Sequence, residues 1–511
     1  MIPNRPAPIY TRNNDMNITR ANKFTCPGGA LRAAWACLGV ASMRSRVLPA
    51  LIAGLGLMLA GQATAQTFTT LHSFSVDTLA LGSLVSSGNT LYGTSQYGGS
   101  GGVGTVFSLN TNGTGFTTLY SFSAFTPVSG VGLNSDGGLP FAGLLLSGNT
   151  VYGTAPRGGD YGYGTVFSLN TNGTAFTTLY DFADGSDGAA PYAGLILSGN
   201  TLYGTAERGG DYGYGTVFSL NTDGTGFTTL YSFTATTGTL GLDRKGTNSD
   251  GAYPEAGLVL SGNTLFGTAA WGGSSGFGTV FSLNTNGTGF TTLHSFADGS
   301  DGAVPAPYAG LVLSGKTLYG TAEEGGDYGY GTVFSLNTNG AGFTTLYSFT
   351  GGDAGEAPND RLVLSGGMLY GTADGGSASN GTVFAINTNG TGFTNLYGFP
   401  NGIDGALGTG LILCGNALYG TTSVGGAWGD GTVFSLTLPP VSAPQLTLTR
   451  SGANVILSWP ATAAGFTLQS TTNLGLPAFW TTNSPAPVLV NGQNVVTNAL
   501  SGIQQFYRLT Q

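Results

Sequence analysis

Beyond residue 65 the chain alternates short apolar runs with clusters of Gly, Asn, Asp and Ser. The stretch from Gly310 shows the pattern: "GLVLS", "TLYGTA", "GTVFSL" and "FTTLYSF" are rich in Val, Leu, Phe, Tyr and Thr, and turn residues separate them. β-branched and aromatic runs of this length, bounded in this way, predict strands. The first two runs are joined by "GK", or by "GN" elsewhere, which suits a tight hairpin with positive φ. "NTNGTG" predicts a slightly longer turn between the third and fourth. The runs are apolar on both faces, so both faces of each sheet are expected to pack against other sheets. No stretch after Ala65 carries apolar residues at a helical period.

The four-run pattern recurs. "GTVFSL" or a close variant begins at Gly104, Gly164, Gly215, Gly278, Gly331, Gly381 and Gly431, at spacings of 50 to 63 residues. "FTTLYSF" or a variant begins at Phe68, Phe116, Phe176, Phe227, Phe290, Phe343 and Phe393. "GLVLSGNTLYGTA"-like text begins near Gly82, Gly143, Gly194, Gly257, Gly310, Arg361 and Gly410. Seven units of four antiparallel strands predict an all-β chain with a seven-bladed β-propeller over residues 66–438; a β-solenoid or an array of sandwiches is the alternative. The register adds a detail. The repeats open with a lone fourth run, "FTTLHSF" (Phe68–Phe74), and the last unit stops after its third, "GTVFSLT". The first run is therefore expected to complete the last sheet and close the ring, which removes two open sheet edges. A proline-rich linker, residues 439–445, leads to a small module over 446–511 with further short strands such as "ANVILSWPAT" and "QQFYRLTQ".

Composition narrows the class. Among 511 residues there are 90 Gly with no Gly-X-Y period, which excludes collagen, and 41% hydrophobic with 11% aromatic residues, which argues against disorder. Residues 1–65 hold seven of the 15 Lys and Arg and one of the 24 acids, leaving a net charge of −15 on the rest. Such a surface repels phosphate backbones, so nucleic acid is not expected as a partner. Arg44 and Arg46 precede the apolar run "VLPALIAGLGLMLAG", and "ATA" ends at Ala65. This predicts a signal peptide over 43–65 with cleavage after Ala65, and an upstream extension or mis-called start over 1–42. Export to the periplasm, the cell surface or the medium follows, with no membrane span in the mature chain. The only cysteine beyond the leader is Cys414, so no internal disulfide is expected. A monomer is expected.

The string "LYGTAEEGGDYGYGTVFSLNTNGAGFTTLYSF" resembles the tandem repeat of GloVer-containing proteins, and the resemblance covers about Phe68 to Leu436. It implies a repeat block followed by a variable C-terminal anchoring or sorting module. The Gly-Gly pair after the second run, as at Gly158 and Gly325, is similar to kelch repeats. Trp459 in "VILSWP" resembles the core tryptophan of fibronectin type III-like sandwiches, which implies that fold for residues 446–511.

Strand order separates the loops into two faces. The second-to-third loops and the links between units fall together, and chemical variety collects there. The candidate ligand-binding residues are Asp160, Tyr161, Asp211, Tyr212, Trp271, Asp327, Tyr328 and Trp428. Flat Tyr and Trp faces beside carboxylates suit sugar rings and their hydroxyls, so an extracellular glycan or a surface protein is the expected partner. "DGSDG" links make Ca²⁺ a candidate ligand, although Asp-Gly is also an ordinary turn and no cofactor is required. The favoured reading is a non-catalytic binding or adhesion module. The alternatives are a carbohydrate-active hydrolase or lyase using Glu323, Glu324 and Asp327 with Glu207 or Glu255, and a passive surface scaffold. His72 and His294 replace the Tyr of "FTTLYSF" and are expected to be structural. Arg157, Arg208, Arg244, Trp271 and Trp428 most clearly break the repeat.

Overall fold

A computed structural model describes residues 66–510 apart from 76–77, 129–130, 238–245, 298, 306–309, 376–379, 401–405, 440–444, 461–465, 473–479, 483–485, 491–492 and 500–504. The expected signal peptide, the upstream extension, most of the linker and the insertion around Arg244 lie outside the described residues. The described chain is all-β, with one three-residue 3₁₀ turn at Gly352–Ala354.

Each repeat forms one antiparallel sheet in sequence order. The second unit is typical: Leu145–Ser147, Thr150–Ala155, Thr165–Asn170 and Thr177–Asp181 lie side by side. Six sheets are built wholly from consecutive strands; that of the fifth unit gains a further short strand, Ala303–Pro305, from the preceding link. In the remaining sheet Ala406–Cys414, Ala417–Val424 and Thr432–Thr437 are joined by Phe68–Ser73, with Phe68 opposite Leu436 and Ser73 opposite Thr432.

The repeated words have local physical causes. In "LYGT" the glycine faces a phenylalanine on the next strand. A Cβ at Gly204 would stand 2.6 Å from Phe218 Cζ, and these two residues are cross-strand partners. The ring thus lies over the space that the glycine leaves. The threonine that follows ties one sheet to the next. Thr94 Oγ1 donates to the Ala142 carbonyl at 3.1 Å, Thr154 to Ala193 at 2.9 Å, Thr205 to Ala256 at 3.1 Å and Thr421 to Gly82 at 3.4 Å. In "FTTLYSF" a β-bulge inserts the leucine, so that Phe167 pairs with Thr178 and Val166 with Tyr180 across the extra Leu179.

The aromatic residues of the fourth strands carry the packing onward. Tyr120 stacks on Phe176 of the next unit at 3.8 Å, Tyr180 on Phe227 at 3.7 Å, Tyr231 on Phe290 at 3.9 Å and Tyr347 on Phe393 at 3.8 Å. His72 and His294 occupy the same position and stack on Phe116 and Phe343, each at 3.8 Å, which accounts for both histidines structurally. Tyr397 stacks on Phe68, the first residue of the N-terminal strand, at 4.2 Å. Beneath these stacks buried apolar clusters join neighbouring sheets. Val166 and Phe182 meet Leu202 and Phe218 of the following unit, and Phe74 and Val433 meet Leu91 and Phe107 of the first. Val383 and Phe399 in turn meet Leu418 and Phe434. The expected two-sided apolar packing is what forms.

The C-terminal module holds a four-stranded sheet of Thr447–Ser451, Asn454–Pro460, Gln493–Ala499 and Val488–Val490. A three-stranded sheet of Thr481–Thr482, Thr467–Thr471 and Phe506–Thr510 accompanies it. Trp459 is buried with Leu457, Leu468 and Val496 between them.

Candidate functional site

The two loop classes that the sequence assigns to one face do meet. Each link between units runs beside the second-to-third loop of the unit it enters, with bridges between Gly138 and Arg157, Ala189 and Arg208, Ala252 and Trp271, and Glu356 and Asp374. The aspartates of "NSDG" and "GSDG" stabilise this junction. Asp136 accepts from Tyr120 Oη at 2.8 Å and Ser123 N at 2.8 Å; Asp250 accepts from Tyr231 Oη at 2.9 Å and Thr234 N at 2.8 Å. Asp187 takes Tyr180 Oη at 3.2 Å and two backbone amides, and Asp301 takes His294 Nε2 at 3.1 Å. Burial first, and then the facing carboxylate, raise the phenol pKa of Tyr120, Tyr180 and Tyr231. For His294, burial outweighs the Asp301 carboxylate and lowers the imidazole pKa. The second aspartate of "DGSDG" is thus engaged by internal donors. Among the described residues no three His, Cys, Asp or Glu converge as a metal site.

The Asp-Tyr loops lie over the fourth strand of their own sheet. Gly209 and Gly210 take φ of 71° and 78°, which turns the chain back on itself. The next amide then donates to that strand: Asp160 N to the Asp181 carboxylate at 3.1 Å, Asp211 N to Ser232 Oγ at 2.7 Å and Asp327 N to Ser348 Oγ at 3.3 Å. Ala427 N does the same to Ser73 Oγ at 3.3 Å, so Trp428 stands where Tyr161, Tyr212 and Tyr328 stand in their units. These four rings are 56–66% exposed. Around Tyr328 an open cleft of about 650 Å³ is lined by Asp301, Asp327, Phe343, Tyr347 and Thr350. Trp271 differs from the other candidates: it is half-buried, packed with Phe277 against Ala270, Ala303 and Val304.

A second cavity, of about 600 Å³, is lined by residues of all seven sheets at or near their first strands, including Ser83, Gly143, Gly194, Gly257, Gly310, Arg361 and Leu411. None of the sequence-chosen candidates lines it. Its wall also carries Tyr192, Asp360 and Asp374. Glu207 is buried and pairs with Arg208 at 3.2 Å, and Arg208 and Arg157 both act on the Tyr192 phenol. Burial, and then the charges of Glu324 and Asp374, push Glu323 up to about 7. The repeat alignment held a sign of this cavity, because the column of Gly82, Gly143, Gly194, Gly257, Gly310 and Gly410 is broken by Arg361. Cys414 is half-buried, because its position lies at the end of a first strand next to the exposed turn at Gly415. Among the described residues no helix is long and apolar enough to cross a membrane.

No curated protein matches the chain. Among solved structures, an oligogalacturonate lyase from Vibrio parahaemolyticus is 9% identical, covering 74% of this chain and 98% of that one, with a TM-score of 0.44. A puromycin-hydrolyzing peptidase of Mycobacterium tuberculosis is 13% identical over 75% of this chain and 58% of its own, with a TM-score of 0.44. TolB from Acinetobacter baumannii is 12% identical over 74% and 76%, with a TM-score of 0.33. At such TM-scores these likenesses fix neither topology nor activity. The family described as the Gloeobacter/Verrucomicrobia repeat matches residues 128–306 and 304–452, more than half of the chain, and the protein belongs to that family.

Proposed function

We propose that this chain is an exported, non-catalytic binding protein. Its seven sheets are the blades of a β-propeller closed by the N-terminal strand, and it holds an extended carbohydrate along its rim. The pairing of Phe68–Ser73 with Thr432–Thr437 and the stack of Tyr397 on Phe68 support closure. The observation that carries the function is the set of four equivalent loops, each offering a ring more than half exposed: Tyr161, Tyr212, Tyr328 and Trp428. Tyr and Trp combine a flat apolar face, on which a sugar ring can stack, with a polar edge. Beside Tyr328 the exposed Asp327 carboxylate can accept from hydroxyls. In this reading the module over 446–511 is a fibronectin type III-like sandwich that retains the propeller at the surface.

A second reading has one observation in its favour. Glu323, with its pKa raised to about 7, is suited to act as a general acid near neutral pH, with Asp374 close enough to influence it. A glycan array followed by analysis of the bound sugar separates the two. Binding reduced by alanine at the four rim positions, with the glycan recovered intact, supports the binding module. New reducing ends or unsaturated products, lost in Glu323→Gln, would support the enzyme.

A further inference from the structure

Arg361 stands apart from the rim. Six repeats place glycine at its position, and in the second to fifth units that glycine lies against the backbone of the preceding unit: a Cβ at Gly194 would be 3.1 Å from the Gly143 carbonyl, and one at Gly257 would be 3.4 Å from that of Gly194. The fold therefore builds this position six times without a side chain and does not require an arginine. Arg361 lines the 600 Å³ cavity. Its side chain is exposed, yet desolvation lowers its pKa. Both hold for a guanidinium that reaches into an open cavity while protein walls surround it. Among the described residues no carboxylate forms an ion pair with it. The adjacent Asp360 turns aside: its carboxylate accepts from Thr372 Oγ1 at 2.9 Å and from the Gly410 amide.

A cavity of this size suits a small molecule, and an unpaired guanidinium suits a planar anion that can take two parallel N–H bonds. The wall adds the rings of Phe141 and Tyr192, which meet edge-on at 5.9 Å. It also carries Asp374 and Asp360, whose negative charge disfavours a dianion such as phosphate. We propose that this cavity is a second ligand site, separate from the rim, in which Arg361 binds the carboxylate of a small monoanionic organic acid of sugar-acid size.

The test is calorimetric titration of the full chain with glucuronate, glucose, acetate and inorganic phosphate. Glucuronate is expected to bind at least about tenfold more tightly than glucose, the neutral parent that lacks the carboxylate. Arg361→Gly restores the residue of the other six repeats and should leave the melting temperature unchanged while removing glucuronate binding. Arg361→Lys keeps the charge without the planar fork and should weaken binding by about tenfold. Trp428→Ala should leave it intact, so failure here is distinguishable from failure of the rim. Equal binding of glucuronate and glucose, unchanged binding in Arg361→Gly, phosphate binding more tightly than either acid, or no binding of glucuronate or acetate up to roughly 10 mM would each overturn the proposal.

Discussion

Phe74 offers a sharp test of whether the N-terminal strand is an integral part of the last sheet. It is 2% exposed, its amide donates to the Gly431 carbonyl at 3.0 Å, and its ring meets Phe107 edge-on at 5.4 Å. Phe182 is its internal counterpart: fully buried, with its amide on the Gly164 carbonyl at 3.0 Å and its ring edge-on to Phe218 at 5.3 Å. Removing a buried phenyl ring costs about 3–5 kcal/mol through lost burial and the cavity left behind. The entropy of unfolding for roughly 370 residues is about 0.8 kcal/mol per degree, so either Phe→Ala change should lower the melting temperature by about 4–6 °C. Differential scanning calorimetry of Phe74→Ala and Phe182→Ala, side by side, reads this directly. Equal losses mean that the strand contributed from the far end of the chain packs as an internal one does. A normal melting temperature for Phe74→Ala, alongside a depressed one for Phe182→Ala, would refute the reasoning.

Three further outcomes are expected. Thr154→Val should cost about 1–3 kcal/mol in urea unfolding, because it leaves the Ala193 carbonyl without its 2.9 Å buried donor, while Thr154→Ser should retain most of the stability. Burial lowers the pKa of His72 and His294, so the unfolded chain binds protons more readily just below its own imidazole pKa of about 6.5. Stability should then fall as pH drops from 6.5 toward the folded values, and a His72→Tyr/His294→Tyr double variant should flatten that part of the profile. Glu323 shifts the opposite way: with a folded pKa of about 7 against an ordinary 4.5, its contribution is present at acid pH and lost as pH rises through 7. Glu323→Gln should accordingly raise the melting temperature at pH above about 8 and leave it unchanged near pH 4.

Strand content and register were legible in the sequence because each unit repeats the same local chemistry. "GN" turns, runs rich in Val, Phe and Thr, and the lone "FTTLHSF" at the start are all read without knowing what packs against what. The roles of single residues were less legible. The glycine of "LYGT" is explained by a phenylalanine on the adjoining strand, and the threonine by a carbonyl on the adjoining sheet. Both partners are remote in sequence, 39 residues away in the case of Thr154 and Ala193. Trp271 looked like the other aromatic candidates, but Val304, from the link that follows its sheet, half-buries it. Arg361 was visible only as an exception in a column of glycines, and its meaning depends on a cavity to which all seven sheets contribute. The exposed rings were easier to find, since a residue that varies at one loop position amid a constant scaffold is seldom set by packing alone.

The central claim is that several equivalent rim loops share one extended carbohydrate. The most direct measurement is affinity electrophoresis through gels containing hydroxyethylcellulose, xylan, laminarin or polygalacturonate. It compares the wild type with variants in which Tyr161, Tyr212, Tyr328 and Trp428 are replaced by Ala one, two, three and four at a time. Retardation by at least one polymer, falling step by step with each ring removed and abolished by no single replacement, is the expected result. Retardation by none of them, complete loss from one replacement, or undiminished binding with all four rings gone would contradict it.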